Sequence, residues 1–218
     1  DSTAYGCAST MVVVVEDSDL EGAGTTVVTL VSNTETNPES LTLNEGEPGE
    51  FMGTMNTAMG SASPDGQLQV SHGDTITVTY QDADYGGSGP MTVTATANVD
   101  CNAPVISSIS VEAISDTWVQ IDWTTNEPSR SIVHYGMGVP SMTEQTDAVV
   151  TSHSMVIENL SDCTTYVFDI EAEDAAGNTA LDNNGGAHYI FTTYERVVFL
   201  SENMDTDPGW STSGEWNW

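Results

Sequence analysis

The chain has no lysine and two arginines, Arg130 and Arg196, set against 33 acidic residues, giving a formal net charge of −31 over 218 residues. Without lysine there can be no Schiff base, no phosphate clamp of the P-loop kind and no Lys–Asn isopeptide crosslink. The shortage of cations also removes partners. A surface this negative repels phosphate backbones and anionic headgroups, so neither nucleic acid nor membrane insertion is expected. Long apolar runs are missing as well. The longest burst, Met11 to Val15, is strand-sized, far from the ~20 residues that span a bilayer as a helix. Helical periods of ordinary length are absent, and no signal peptide begins the chain.

What is present follows from the same imbalance. Strong salt shortens the Debye length to roughly 3 Å at 1 M and screens the self-repulsion, so the composition suits a saline or marine habitat. It also supplies hard oxygen ligands for divalent cations. A hydrophobic content of 38%, drawn largely from Val, Ala and Ile, is enough for two cores of ordinary size. Short apolar runs separated by turn chemistry recur at the 8–12-residue spacing of a β-sandwich. In the first half these are Met11–Val15, Thr25–Val31, Ser40–Leu43, Phe51–Met55, Gln67–Val70, Thr75–Tyr80 and Met91–Val99. Ile76, Val78 and Tyr80 alternate with threonines, the pattern of a half-buried strand. The run Asp100-Cys101-Asn102-Ala103-Pro104 reads as a joint. Beyond it come Val105–Val111, Trp118–Trp123, Ser131–Tyr135, Ser154–Ile157, Tyr166–Ala172 and His188–Thr192. The expected fold class is all-β: residues 1–101 and 102–194 as two tandem sandwiches, and residues 195–218 as a linker or the first strands of a further β domain. Asp1 is not expected to be a native start, and a terminus carrying Trp210, Trp216 and Trp218 is expected to belong to a longer protein.

Residues 103–193 resemble a fibronectin type III domain. Trp123 closes a strand within Ile121-Asp122-Trp123-Thr124-Thr125-Asn126-Glu127-Pro128, Tyr135 precedes Gly136, and Leu160, Thr164 and Tyr166 keep the spacing around a tyrosine corner, whose phenol pins the loop. Asp162 and Cys163 depart from the usual proline and glycine. The first half is similar to the immunoglobulin-like modules of tandem arrays in large secreted or surface prokaryotic proteins, through Asp17-Ser18-Asp19-Leu20, Gly49-Glu50-Phe51, Gly73-Asp74 and Tyr80-Gln81-Asp82-Ala83-Asp84. The stretch from Phe199 to Trp218 is similar to the opening of jelly-roll domains appended to secreted peptidases. None of these resemblances brings catalytic machinery. The integrin-binding Arg-Gly-Asp of some animal fibronectin modules has no counterpart in the loop from Asp174 to Gly186.

In such a sandwich the strands ending at Val15 and Tyr80 run to one pole, which would gather Asp17, Asp19, Asp82 and Asp84, with Glu16 nearby, into a calcium site of carboxylates at loop positions. The competing reading is a solvated acidic face. Asp174, Asn178 and Asp182 form a poorer set, better read as turn chemistry. The four histidines, His72, His134, His153 and His188, show no ligand spacing. Cys7 and Cys101 fall at the pole opposite the acids, so a disulfide between them is expected, closing a loop of about 95 residues. Cys163 lies too far away to compete. Three cysteines also suggest an oxidising compartment. The functional expectation is a non-enzymatic, extracellular or cell-surface spacer module, calcium-stiffened, whose partners are neighbouring domains of the same polypeptide or identical subunits in a filament or adhesin. The rival is an accessory region of a secreted hydrolase, most plausibly a peptidase, with its catalytic domain elsewhere. A third reading has the tryptophan-rich end bind polysaccharide.

Overall fold

The computed structural model describes residues 4–196. Residues 197–218, and with them the tryptophan-rich end and the expected further β domain, lie outside the described residues. The first half holds β1 (Ala4–Tyr5), β2 (Thr10–Glu16), β3 (Thr25–Val31), β4 (Glu39–Glu45), β5 (Glu50–Ala58), β6 (Gln67–Gln69), β7 (Thr75–Asp82) and β8 (Met91–Val99). The second half holds β9 (Ile106–Ile114), β10 (Val119–Gly136), β11 (Met142–Ile157), β12 (Thr165–Glu173), β13 (Thr179–Asp182) and β14 (Tyr189–Thr192). No α-helix occurs among the described residues, only three short 3-10 turns. The all-β expectation holds.

Period-2 alternation builds the first core. Met11, Val28, Leu30, Leu43, Phe51, Met55, Ile76 and Tyr80 are buried together on inner faces, while the threonines between them face outward. Pairing follows the path β1-β8-β7-β3-β4-β5-β2, with β6 added parallel to β5. Gly53 allows β4 and β5 to approach: a Cβ there would lie 2.7 Å from the Leu43 side chain and 2.9 Å from the Thr42 carbonyl. Several acids work inside the fold. Glu35, 1% exposed, accepts the backbone N–H of Ser63 at 3.1 Å and of Gln69 at 2.9 Å. Glu39 accepts that of Asp65 at 3.2 Å. These carboxylates fix the loop between β5 and β6 by satisfying amides that would otherwise be orphaned.

The second core gathers Val119, Ile121, Trp123, Val133, Met155, Ile157, Leu160, Tyr166, Phe168, Ile170 and Phe191. Two of its strands are longer than the sequence pattern suggests. All of the run Trp118–Trp123 except Trp118 joins Ser131–Tyr135 in one strand, β10, whose first part pairs with β9 and whose second part pairs with β12. Its register against β11 shifts between Thr124 and Ser131, where the strand crosses from one layer to the other. The loop from Asp174 to Gly186 also contains a strand, β13, antiparallel to β12. At the tyrosine corner the Tyr166 hydroxyl accepts the Ser161 N–H at 2.9 Å. Cys163 stands beside it with φ +47°, a left-handed conformation that glycine adopts freely and other residues adopt at a cost.

Candidate functional site

Where the two halves meet, three side chains converge from distant parts of the sequence. Asp100 follows the end of β8, Glu127 sits in the crossing of β10, and Asp174 directly follows β12. One carboxylate oxygen from each lies within 4.8 Å of the other two. Asp100 Oδ1 accepts the Asn102 N–H and lies 3.0 Å from Nδ1 of His72. Asp174 is held by its own turn: Oδ1 accepts from the N–H groups of Ala176 and Asn178, and Oδ2 accepts from the Asn178 side-chain amide at 2.8 Å. That same amide donates across the joint to the Asp100 carbonyl at 2.9 Å. Burial, and then the negative charges of Asp100 and Asp174, push the Glu127 carboxyl above its ordinary range. Carboxylates this close relieve their repulsion by sharing a proton or by binding a hard cation.

The joint is otherwise closely built. Cys7 and Cys101 are joined by a disulfide, with Cα atoms 5.0 Å apart. Gly6 packs against the second half, where a Cβ would lie 3.2 Å from Oδ1 of Asn178 and 3.3 Å from the Ala176 carbonyl. Cys163 is free and exposed.

The acids singled out from sequence take other partners. Tyr80 donates its hydroxyl to Asp17 Oδ2 at 2.5 Å. Burial, the bond to Asp17 and the neighbouring charges of Asp17 and Asp82 raise that phenol to about 12. Asp17 Oδ1 accepts the Asp19 N–H, Asp82 Oδ1 accepts the Asp84 N–H, and Asp84 Oδ1 accepts the Gly89 N–H. Among the described residues, the carboxylates drawn within 4.8 Å of one another are not these but Asp100, Glu127 and Asp174. Asp182, grouped with Asp174 and Asn178 in the sequence, instead accepts from the Asn184 N–H and the Tyr189 hydroxyl.

Histidine supplies structure. His134 Nε2 lies 2.7 Å from Glu171, and His188 Nδ1 lies 2.8 Å from Asp169. His153 is buried, stacked on Trp123 with ring centroids 5.2 Å apart, and its two nitrogens meet the hydroxyls of Ser131 and Thr125 at 3.0 Å each. Burial holds its pKa below the ordinary 6.5. The unfolded chain therefore binds this proton more readily than the folded one. The stability contributed by the neutral ring is complete above the ordinary value and is lost as pH falls through the lowered one. In denaturant melts followed by tryptophan fluorescence, the second half should weaken on acidification through this window. His153→Gln should remove that dependence; an unchanged pH profile in the variant would place the titration elsewhere.

No protein-family model matches this chain, and no curated protein does. Among solved structures, it is similar to the FN1–FN3 domains of chicken CNTN1, with 14% sequence identity and a TM-score of 0.53 over 88% of this chain and 65% of that one. Domains A168–A170 of titin align with 15% identity and a TM-score of 0.42, over 83% of this chain and 56% of theirs. The chain thus spans less than two-thirds of either structure. At such identity the first likeness shows the fold alone, that of fibronectin type III and immunoglobulin-like modules.

Proposed function

We propose that the chain is a non-enzymatic spacer of a large extracellular or cell-surface protein from a saline habitat, with residues 1–101 and 102–194 as successive domains. The observation that carries this reading is the joint. A flexible tether would leave its backbone in water, whereas here the Asn178 amide bonds to both Asp100 and Asp174, and Gly6 packs under the turn that holds them. Joints of this kind fix the angle between neighbours and so set the distance between whatever lies at either end.

The convergence of Asp100, Glu127 and Asp174 favours a cation, calcium by ligand type, as a stiffener of the same joint. The pole of Asp17, Asp19, Asp82 and Asp84 is the second place for it. Exposed Cys163 and an introduced Thr42→Cys offer one spin label in each half. Pulsed-resonance distances should be narrow in the parent joint and broader after Asn178→Ala; a broad distribution in the parent would reject the spacer reading. Millimolar calcium added in strong sodium chloride, where general screening is already saturated, should raise the melting temperature saturably. Loss of that rise in Asp174→Asn locates the ion at the joint, and loss in Asp17→Asn locates it at the outer pole. If calcium adds nothing in strong salt, neither set binds it.

A further inference from the structure

The first sheet is incomplete along one seam. Among the described residues, β2 has a ladder partner on one side only, β5. β8 pairs with β7 along its length, but on its other side it meets only the two residues of β1, opposite Asn98 and Val99. Met91 to Ala97 therefore present a free edge among the described residues. These two edges face each other across a cavity of about 560 Å³ lined by Tyr5, Met11, Val13, Ile76, Val78 and Ala97, among others. The burial pattern carries the same mark. Every residue of β8 from Met91 to Thr96 is exposed, although a covered strand buries alternate residues. Val78, which the alternation of β7 turns inward, is only half-buried. The slot has the apolar lining and the two free edges that one further strand would fill.

We propose that the occupant is the segment Arg196-Val197-Val198-Phe199-Leu200-Ser201 of a second copy of this chain, added as a strand between β2 and β8. Three observations select it. First, the described residues end at the pole of the second half that lies away from the joint, where Tyr194 bonds to Ser115 and Cys163, so this end and the slot belong to different halves of the molecule. Second, its four apolar residues are β-branched or bulky, suited to a strand and to a slot floored by small alanines. Third, charge fixes the polarity. Glu16 ends β2, and Asp82, paired with Met91, ends β7 at the outer mouth of the slot. In a chain of net charge −31, Arg196 is one of two arginines and is exposed, with Asp116 as its charge neighbour within the chain; the other, Arg130, is bound to Glu173. With Arg196 at the mouth beside Met91, a strand rise of about 3.3 Å per residue brings Leu200 level with Ala95. The contact is head-to-tail, so it is not limited to a dimer and passes from copy to copy.

This extends the spacer reading and stands or falls separately from it: a broad distance distribution would reject a rigid joint and leave the slot unaffected. The test is sedimentation of the full chain in strong sodium chloride. The parent should grow in mass with concentration. Ala95→Glu in the slot, with Val13→Glu on the opposite lip as a second variant, and Leu200→Glu in the segment, on the face that register turns toward Ala95, should each be monomeric, with near-ultraviolet dichroism confirming that each is folded. An equimolar mixture of Ala95→Glu and Leu200→Glu retains one intact slot and one intact segment, so it should stop at twice the monomer mass. A parent that stays monomeric at all concentrations overturns the proposal, because the segment then pairs within its own chain or not at all. Association that survives Leu200→Glu also overturns it, because the slot then pairs with another edge.

Discussion

Replacing Trp123 by alanine is expected to cost about 3–5 kcal/mol, the range for removing a large aromatic from a packed core. Trp123 is 2% exposed, sits among Ile121, Val133, Met155 and Phe168, and stacks on His153. Its removal would open a cavity that β10 and β11, paired on both sides of it, are poorly placed to collapse. One feature lowers the cost of a milder change. The indole Nε1 is buried with no hydrogen-bond partner, a penalty of roughly 1–3 kcal/mol already present in the parent. Trp123→Phe removes that orphan donor and keeps a ring against His153, so it should recover most of the loss. Urea melts check both. An alanine variant within about 1 kcal/mol of the parent would mean that the tryptophan does not hold the second core together.

Opening the disulfide should be the comparable event in the first half. Cys7 and Cys101 are 94 residues apart in sequence, and the chain-entropy model assigns a loop of this size roughly 4–5 kcal/mol, of which strain and residual structure commonly take a share. The double variant Cys7→Ser, Cys101→Ser should lose most of that from the first half alone. Residues 1–100 contain no tryptophan, so the two halves can be followed separately. Tryptophan fluorescence should report an unshifted transition for the second half, while far-ultraviolet dichroism shows the first half melting earlier. A coincident loss in both signals would show that the joint couples the two cores.

The second half was the more legible in sequence because its signature residues occupy positions that tertiary packing dictates. Trp123, Leu160 and Tyr166 are all buried, and the Tyr166 hydroxyl bonds to Ser161. Strand limits were harder to read. Asn126, Pro128 and Ser129 look like a turn, yet β10 continues through them, because a strand can bend between layers without leaving its ladders. The strand Thr179–Asp182 was hidden by the turn residues on either side of it. The alternation in β7 foretold an inward Val78 but not the missing neighbour that leaves it half-covered, since sequence specifies which face a residue takes and not what lies opposite. Two of the joint carboxylates, Asp100 and Glu127, were invisible for a related reason, and Asp174 was grouped with Asp182 instead of with them. Among so many acids, Asp100, Glu127 and Asp174 are brought together only by pairing between distant strands, whereas Asp17, Asp19, Asp82 and Asp84 drew notice because the strands ending at Val15 and Tyr80 were expected to reach one pole. Asp100 beside the boundary cysteine and Glu127 before a proline were the available hints.

The disulfide also determines how the chain would respond to being pulled along its length. Tension arriving at Cys7 passes through the sulfur bridge to Cys101 and on into the second half, bypassing every strand from β2 to β8, all of which lie between the two cysteines. The first half could lose its fold under load without lengthening the molecule, whereas the second, with no bridge of its own among the described residues, would pay out about 3.3–3.6 Å for each residue released. In an oxidising medium one half is a fixed-length link and the other is the extensible element, so the reach of the pair under load is set by residues 102–194 alone.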